Sequence, residues 1–344
     1  MHSSLSSGLH QSSVEEHPPM VFEFADPIIG SNAKSVGRSL PLATSVIDII
    51  GAASGLGAPD KGCALGPEVL NQIGLAETLR KHGISIAWQE ILRRPVSTRN
   101  SADFLVLRDF CTDLFDCVLA SLRGGHQFVV IGGDHSCAIG TWSAASWAIR
   151  DQGSLGLIWI DAHMDSHTPA TSPSGAAHGM PLACLLGYGA PELTQLVDPK
   201  LKPNRVCLIG VRSYEEEEAH LLKQLGVRVI LMEEVQTHGL AWAMQEALEI
   251  ACKGTAGYGL SLDLDAIDPK AAPGVGTPAP EGLQGQELIA CMGLLTQKRG
   301  FLGLEIAEYN PLHDQDNRTA RLVCDLVHAS FAEVRENNYG TKDY

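Results

Sequence analysis

The chain has 344 residues, 44% of them hydrophobic and 19% charged, which is the composition of a globular protein with room for one large α/β domain or two smaller ones. Its formal net charge of −15 argues against a nucleic-acid partner, which would require clustered Lys and Arg. No apolar run is long enough to span a bilayer, and residues 1–17 lack an apolar signal core. We therefore expect a cytoplasmic protein without a membrane partner.

Two further features of the whole chain bear on its organisation. The first 44 residues are rich in Ser and lack sustained periodicity, which predicts a flexible extension before a catalytic domain at 45–335 and a tail at 336–344. The cysteines are odd in number, scattered and mostly in apolar segments, so we expect reduced core residues and neither a disulfide framework nor a thiolate metal site. They are Cys63, Cys111, Cys117, Cys137, Cys184, Cys207, Cys252, Cys291 and Cys324.

Short apolar, β-rich runs alternate with amphipathic stretches from residue 46 onward. The predicted strands are 46–51, 84–88, 128–131, 155–161, 206–211, 227–232, 257–265 and 301–306. The predicted helices are 67–81, 104–122, 215–225, 240–252 and 284–295. Continuously apolar strands separated by helices indicate a sheet buried on both faces, which predicts one three-layer α/β/α domain with a mainly parallel sheet of roughly eight strands.

Polar motifs follow three of these strands, at the edge where ligands bind in such sheets. They are GGDHS at 132–136, DAHMD at 161–165 and SLDLDAIDP at 261–269. Residues two apart on an extended chain project to the same side, so Asp161 with His163, and Asp263 with Asp265, each present two ligands toward one point.

With His135 and Asp165, these pairs make four carboxylates and two imidazoles. Carboxylates crowded in one pocket repel one another unless cations are bound, and two divalent ions would balance their charge. An oxygen and nitrogen ligand set without thiolate favours two Mn²⁺ ions, or another divalent metal, over structural zinc. Such a pair can share a bridging hydroxide formed near neutral pH.

Each motif alone has a simpler explanation. GGDHS is typical of a strand-to-helix turn with a capping side chain, and an isolated Asp-x-Asp or Asp-x-His pair is a weak signal. Their joint appearance at three apolar strand ends favours the metal site.

At these motifs the sequence resembles the ureohydrolase superfamily, which contains arginase and agmatinase, over residues 46–327. The segments TP at 168–169, SPSG at 172–175, HGMPL at 178–182 and GVRS at 210–213 make the resemblance closer to arginase. The resemblance implies an arginase-like fold and a metal-dependent hydrolase that cleaves a small guanidino substrate, first L-arginine, to urea and an amine. It also implies a homo-oligomer, either a trimer or a hexamer.

The resemblance implies a role for each ligand. One metal would be held by His135, Asp161, Asp165 and Asp263. The other would be held by His163, Asp161, Asp263 and Asp265, so that Asp161 and Asp263 bridge.

The catalytic residues implied by the resemblance are His178, Asp165 and Glu308. His178 would shuttle a proton to the leaving amine, Asp165 would relay the proton released by the nucleophile, and Glu308 would pair with the guanidinium. A carboxylate can hold a planar cation by charge-assisted hydrogen bonds, which supports the last role. Thr277 would line the same pocket. As simpler alternatives, His178 could cap a helix and Glu308 could be a structural ion-pair partner.

The far end of the substrate is where the sequence departs from arginases. Ser174 matches a carboxylate-binding serine, and Glu215 and Glu218 match residues that receive the α-amino group, although an acidic run also suits a helix start. His167 and Ala176 stand where arginases carry two amides. His167 could still donate to a carboxylate, or it could mark a different tail, so agmatine and 4-guanidinobutyrate are alternative substrates.

Two alternatives come from other classes of protein. A zinc deacetylase shares the general fold and an Asp-x-His pair, but it would not need His135, Asp165 and Asp265 as a second ligand set. A non-catalytic relative would bind metal or a partner protein without turnover, and the intact motifs with His178 and Glu308 argue against it.

Overall fold

The computed structural model of the protein describes residues 46–93 and 103–332. The predicted extension at 1–44 and the predicted tail at 336–344 lie outside these residues. Within the described ranges, no helix combines the length and the apolar character needed to cross a membrane.

A single sheet of eight parallel strands forms the centre of the fold, as the apolar runs predict. Along the sheet the order is β2-β1-β3-β8-β7-β4-β5-β6. The strands are β1 (Ile47–Ala53), β2 (Ile86–Arg93), β3 (Gln127–Gly132), β4 (Leu155–Ile160), β5 (Val206–Val211), β6 (Arg228–Leu231), β7 (Gly257–Asp263) and β8 (Phe301–Ala307).

Helices connect the strands and cover both faces of the sheet. The α-helices of the described residues are α1 (Gly66–Gln72), α2 (Leu75–Lys81), α3 (Phe104–Arg123), α4 (Ala138–Ile149), α5 (Pro181–Leu185), α6 (Pro191–Thr194), α7 (Glu216–Leu225), α8 (Met232–His238), α9 (Leu240–Cys252), α10 (Gly285–Met292) and α11 (Arg318–Phe331).

The predicted helices agree with these bounds in three cases and differ in two. The prediction of one helix over 67–81 is wrong, because Gly74 adopts a φ of +83° between α1 and α2. Left-handed backbone of this kind is open to glycine at little cost and interrupts a helix. The helix predicted over 284–295 ends at Met292 and continues as a short 3-10 segment.

Alternation along each strand divides the core into two layers. On β5, Cys207 and Ile209 pack into the layer beneath α9, whereas Val206 and Leu208 face the layer that contains α3 and α4. Central strands such as β4, β5 and β7 are therefore buried on both faces, which is why they read as continuous hydrophobic runs.

Helix α9 lies very close to the sheet at Gly156 on β4. A methyl group placed there would overlap the backbone carbonyl of Ala251, which cannot move independently of the helix. The distance between this helix and the sheet therefore depends on the missing side chain.

We predict that Gly156→Ala lowers the free energy of unfolding of the metal-free protein by about 1–3 kcal/mol or more, because the core must expand. As a control, Gly293→Ala should leave stability unchanged or raise it by up to about 1 kcal/mol, since Gly293 has helical φ and nothing lies near its added methyl group. Urea unfolding measures both, and equal midpoints for the two variants would contradict the close approach.

Candidate metal centre

The sheet order brings the polar motifs together. Strands β3, β8, β7 and β4 are neighbours, and because they are parallel their carboxyl ends share one edge. GGDHS leaves β3, DAHMD leaves β4, and the Asp263–Asp265 pair ends β7. Glu308 follows β8 directly, so the fourth strand of this group also delivers an acidic residue to the edge.

The first group of candidate ligands surrounds the buried imidazole of His135. Its Nδ1 atom lies 3.3 Å from Asp161 Oδ2, 3.0 Å from Asp165 Oδ2 and 3.1 Å from Asp263 Oδ2. Neither His135 Nδ1 nor Asp165 Oδ2 makes a hydrogen bond in the described part of the chain, although both atoms are buried. Buried polar atoms without partners are costly, so atoms that converge in this way fit a bound cation.

The second group consists of Asp161, His163 and Asp265. The Nδ1 atom of His163 lies 3.2 Å from Asp265 Oδ2 and 3.5 Å from Asp161 Oδ1. Ligand atoms of the three residues all lie within 4.8 Å of one another. Asp161 belongs to both groups, as expected of a bridging ligand, whereas Asp263 groups with the His135 set.

Local hydrogen bonds orient these carboxylates. Asp161 accepts from the backbone N–H of His163 at 2.7 Å and from the Trp159 indole at 2.9 Å. Asp263 accepts from the backbone N–H of Asp265 at 2.9 Å. Trp159 also stacks on the His135 ring, with 4.3 Å between the ring centroids. Each anchored side chain loses rotamer freedom before a metal binds.

The electrostatics of the cluster favour cation binding. Burial and the charge of Asp161 raise the pKa of Asp165 to about 7, and burial with neighbouring carboxylates raises the pKa of Asp263 well above its usual range. Burial opposes ionisation of Asp161 as well, but His135 and His163 lower its pKa. The positive charge of the two histidines does not balance the negative charge of the four carboxylates. Two divalent ions would balance it, and they fit the oxygen and nitrogen donors of the cluster.

Glu308 lies beside the cluster and is only 2% exposed. Its Oε1 atom accepts from the backbone N–H of His135 at 3.0 Å and lies 3.0 Å from Nδ1 of His178. Glu308 has a φ of +66°, a backbone conformation that is uncommon outside glycine and is found at functional sites. Burial opposes protonation of His178, but the Glu308 carboxylate outweighs it and raises the pKa of this histidine to about 9.

The other residues predicted to bind the substrate, Thr277 in the guanidinium pocket and the rest at its far end, fall into three places. His167 Nε2 lies 2.9 Å from Glu215 Oε2 and 3.4 Å from Glu218 Oε2, so these three side chains form one cluster. Thr277 donates to Asp265 Oδ2 at 2.9 Å, next to the second ligand group. Ser174 is exposed and accepts from the backbone N–H of Ala176.

Sequence reasoning missed several residues that support the centre. Arg212 donates to five backbone carbonyls, including those of Asp265 and Ala266, and so anchors the loop after β7. Ser261 lies 3.0 Å from His135 Nε2, and Glu305 accepts from Ser261 at 2.7 Å. The position of Ser261 two residues before Asp263 was a usable signal, as was a charged Glu305 inside an otherwise apolar strand.

Comparison with known proteins identifies relatives of this chain. The arginase of Bacillus caldovelox is 38% identical over 297 residues, which cover 83% of this chain and 98% of that protein. The solved structure of the arginase from Bacillus caldovelox superposes with a TM-score of 0.78 over 84% of this chain and 99% of that one, at 36% identity. The Entamoeba histolytica arginase in complex with L-ornithine is 27% identical, with a TM-score of 0.78 over 84% of this chain and 98% of that one. A sequence profile of the Arginase family matches residues 45–332, and the chain belongs to this family.

Proposed function

We propose that this protein hydrolyses the guanidinium group of L-arginine to give urea and L-ornithine, with two Mn²⁺ ions as cofactors. The observation that carries the proposal is the cluster of four carboxylates and two histidines next to the buried Glu308. The arginases to which the chain is similar match it over nearly their whole length, and the Entamoeba enzyme was solved with the product L-ornithine.

The chain's own residues bind and orient the substrate. When bound, the two divalent ions supply the nucleophile, because they lower the pKa of a water molecule to near neutrality. Glu308 pairs with the cationic guanidinium and turns its carbon toward that nucleophile. The hydrogen bonds from His135 N–H and His178 fix the Glu308 carboxylate before the substrate arrives, which reduces the entropy lost on binding.

Two residues handle the protons. Asp165 accepts the proton that the nucleophile releases and passes it toward the departing nitrogen. His178 is 18% exposed at its side chain, so it can exchange protons with solvent while it contacts Glu308. Because its pKa is about 9, this histidine carries a proton at neutral pH and can donate it to the leaving amine.

The His178–Glu308 pair should also make the stability of the metal-free protein depend on pH. The folded-state pKa of His178 is raised from 6.5 to about 9, so its contribution is complete below pH 6.5 and is lost as the pH rises through about 9. We predict that the stability difference between wild type and His178→Asn, measured by urea unfolding, shrinks between pH 6 and pH 10. In a Glu308→Gln background this shrinkage should disappear; a difference that is constant with pH in the wild-type background would contradict the ion pair.

Urea release from a set of guanidino compounds tests the proposed reaction directly. With Mn²⁺ we expect urea from L-arginine, little urea from agmatine or 4-guanidinobutyrate, and none after chelation of the metal. Asp161→Ala should lose at least about 1000-fold in turnover, because one carboxylate serves both ligand groups. Urea released from a different guanidino compound would support the mechanism but identify another substrate. If the metal-bound protein releases no urea from any of the compounds, the proposal is overturned.

The tail subsite bears on which compound is preferred. His167 Nε2 is engaged by Glu215 and Glu218, the two carboxylates expected to receive the α-amino group of arginine. Its Nδ1 lies 3.2 Å from the Thr171 hydroxyl, so both ring nitrogens have partners within the protein. The substrate must therefore compete with His167 for Glu215. We expect the amino-acid end of the substrate to bind more weakly than it would if position 167 carried an amide.

We predict that His167→Asn raises the ratio of kcat/KM for L-arginine to kcat/KM for agmatine by about tenfold, the equivalent of one hydrogen bond. The gain should fall mainly in the KM for arginine, because the substitution frees Glu215 without touching the ligand groups. His220→Asn on the exposed side of α7 is the matched control and should leave the ratio unchanged. A ratio that falls in His167→Asn would show that the imidazole itself binds the substrate.

The identity of the metal, the cellular location and the oligomeric state complete the proposal. Manganese is proposed from the donor types, since oxygen and imidazole ligands without thiolate suit it. The cytoplasm is proposed because all nine cysteines are free thiols, as in reducing compartments. A homo-oligomer, as a trimer or hexamer, stays a prediction from the family resemblance.

A further inference from the structure

Glu305 is a fully buried acidic residue on β8 that the proposed mechanism does not use. Its Oε1 atom accepts from the Thr141 hydroxyl at 2.6 Å and from the Cys137 thiol at 3.3 Å. Its Oε2 atom accepts from the Trp142 indole at 2.9 Å and from the Ser261 hydroxyl at 2.7 Å. Four donors thus satisfy one carboxylate in the core, and three of them come from α4 or the residue before it.

The bond to Ser261 has a direction that extends to the metal centre. A hydroxyl has one proton, and Ser261 gives it to Glu305, so the serine oxygen is left as an acceptor. The neighbour of that oxygen is His135 Nε2, 3.0 Å away. The imidazole must therefore carry a proton on Nε2, which leaves Nδ1, facing the carboxylates of the first ligand group, as the nitrogen that can bind a metal.

We propose that Glu305 is a positioning residue that acts through Ser261 to keep His135 in the tautomer and ring orientation that ligate a metal. The inference rests on the metal centre proposed above. It assigns a purpose to an otherwise expensive buried carboxylate, since histidine ligands commonly need a partner on the second ring nitrogen. It also predicts that the effect is confined to the His135 group, because His163 has no contact with this chain of hydrogen bonds among the described residues.

The donors around Glu305 decide which substitutions should be tolerated. An amide has one oxygen, and the Trp142 indole can only donate, so the oxygen of a Gln at this position must face Trp142 and Ser261. The amide nitrogen then faces Thr141 and Cys137, whose oxygen and sulfur can accept. Glu305→Gln should therefore preserve the acceptor for Ser261, whereas Glu305→Leu removes it.

The test measures Mn²⁺ binding to the metal-free protein by calorimetric titration, with bound metal counted by elemental analysis. We expect wild type to bind two ions, and Ser261→Ala and Glu305→Leu to bind one of the two about 10- to 100-fold more weakly, the usual loss when the partner of a histidine ligand is removed. Glu305→Gln should restore binding to within about threefold of wild type. The matched control is Thr141→Val, which deletes a donor to the other carboxylate oxygen and should leave both affinities unchanged.

Circular dichroism and thermal unfolding of each metal-free variant separate loss of metal from loss of fold. If Glu305→Leu does not fold, the two single variants Ser261→Ala and Glu305→Gln still test whether the acceptor for Ser261 controls metal binding. If Ser261→Ala binds both ions as wild type does, this inference is overturned but the proposed function is not. The same holds if Glu305→Gln loses metal as strongly as Ser261→Ala. A wild-type protein that binds no Mn²⁺ would overturn the proposed function together with this inference.

Discussion

The fold is organised around buried negative charge at one edge of the sheet. Asp161, Asp165, Asp263 and Asp265 are all shielded from water, and in the described part of the chain two histidines, His135 and His163, belong to their ligand groups. Burial raises the pKa of Asp165 and Asp263, so the folded chain holds a site that protons or cations must neutralise. The surrounding core must keep these groups in place against their mutual repulsion.

Rigid scaffolding supplies that constraint. Trp159 stacks on His135 and donates to Asp161, while Arg212 fixes the loop behind Asp265 through backbone carbonyls. One contact further from the ligands, the Glu305 carboxylate accepts hydrogen bonds from Trp142 on α4 and Ser261 on β7. Except for the local bond from Trp159 to Asp161, these contacts join residues that are distant in sequence, so the metal centre depends on the neighbouring strands being in place.

Chemistry and substrate choice are carried by different parts of the chain. The ligand groups and Glu308 lie at the ends of the central strands, where packing on both sides restricts movement. His167 and the exposed Ser174 lie in the segment after β4, and Glu215 lies in the short connection between β5 and α7. Changes such as an imidazole at 167 can therefore alter recognition of the substrate tail without disturbing the metal ligands.

The sequence by itself determined the strands and the parallel sheet, because alternation along an extended chain is a local property. Its motifs also named the candidate ligands, but the expectation that Asp263 and Asp265 face one point along an extended strand is wrong, because Asp265 lies in a 3-10 segment after β7 and belongs to the other ligand group. Only the tertiary structure decided what these residues meet. The strand order β3-β8-β7-β4 brings Glu308 beside His135 across 173 residues, and His167 meets Glu215 across 48. Likewise, a single glycine is tolerated in many helices, whereas here Gly74 adopts a left-handed backbone that separates α1 from α2. Such outcomes depend on long-range packing, which local periodicity does not encode.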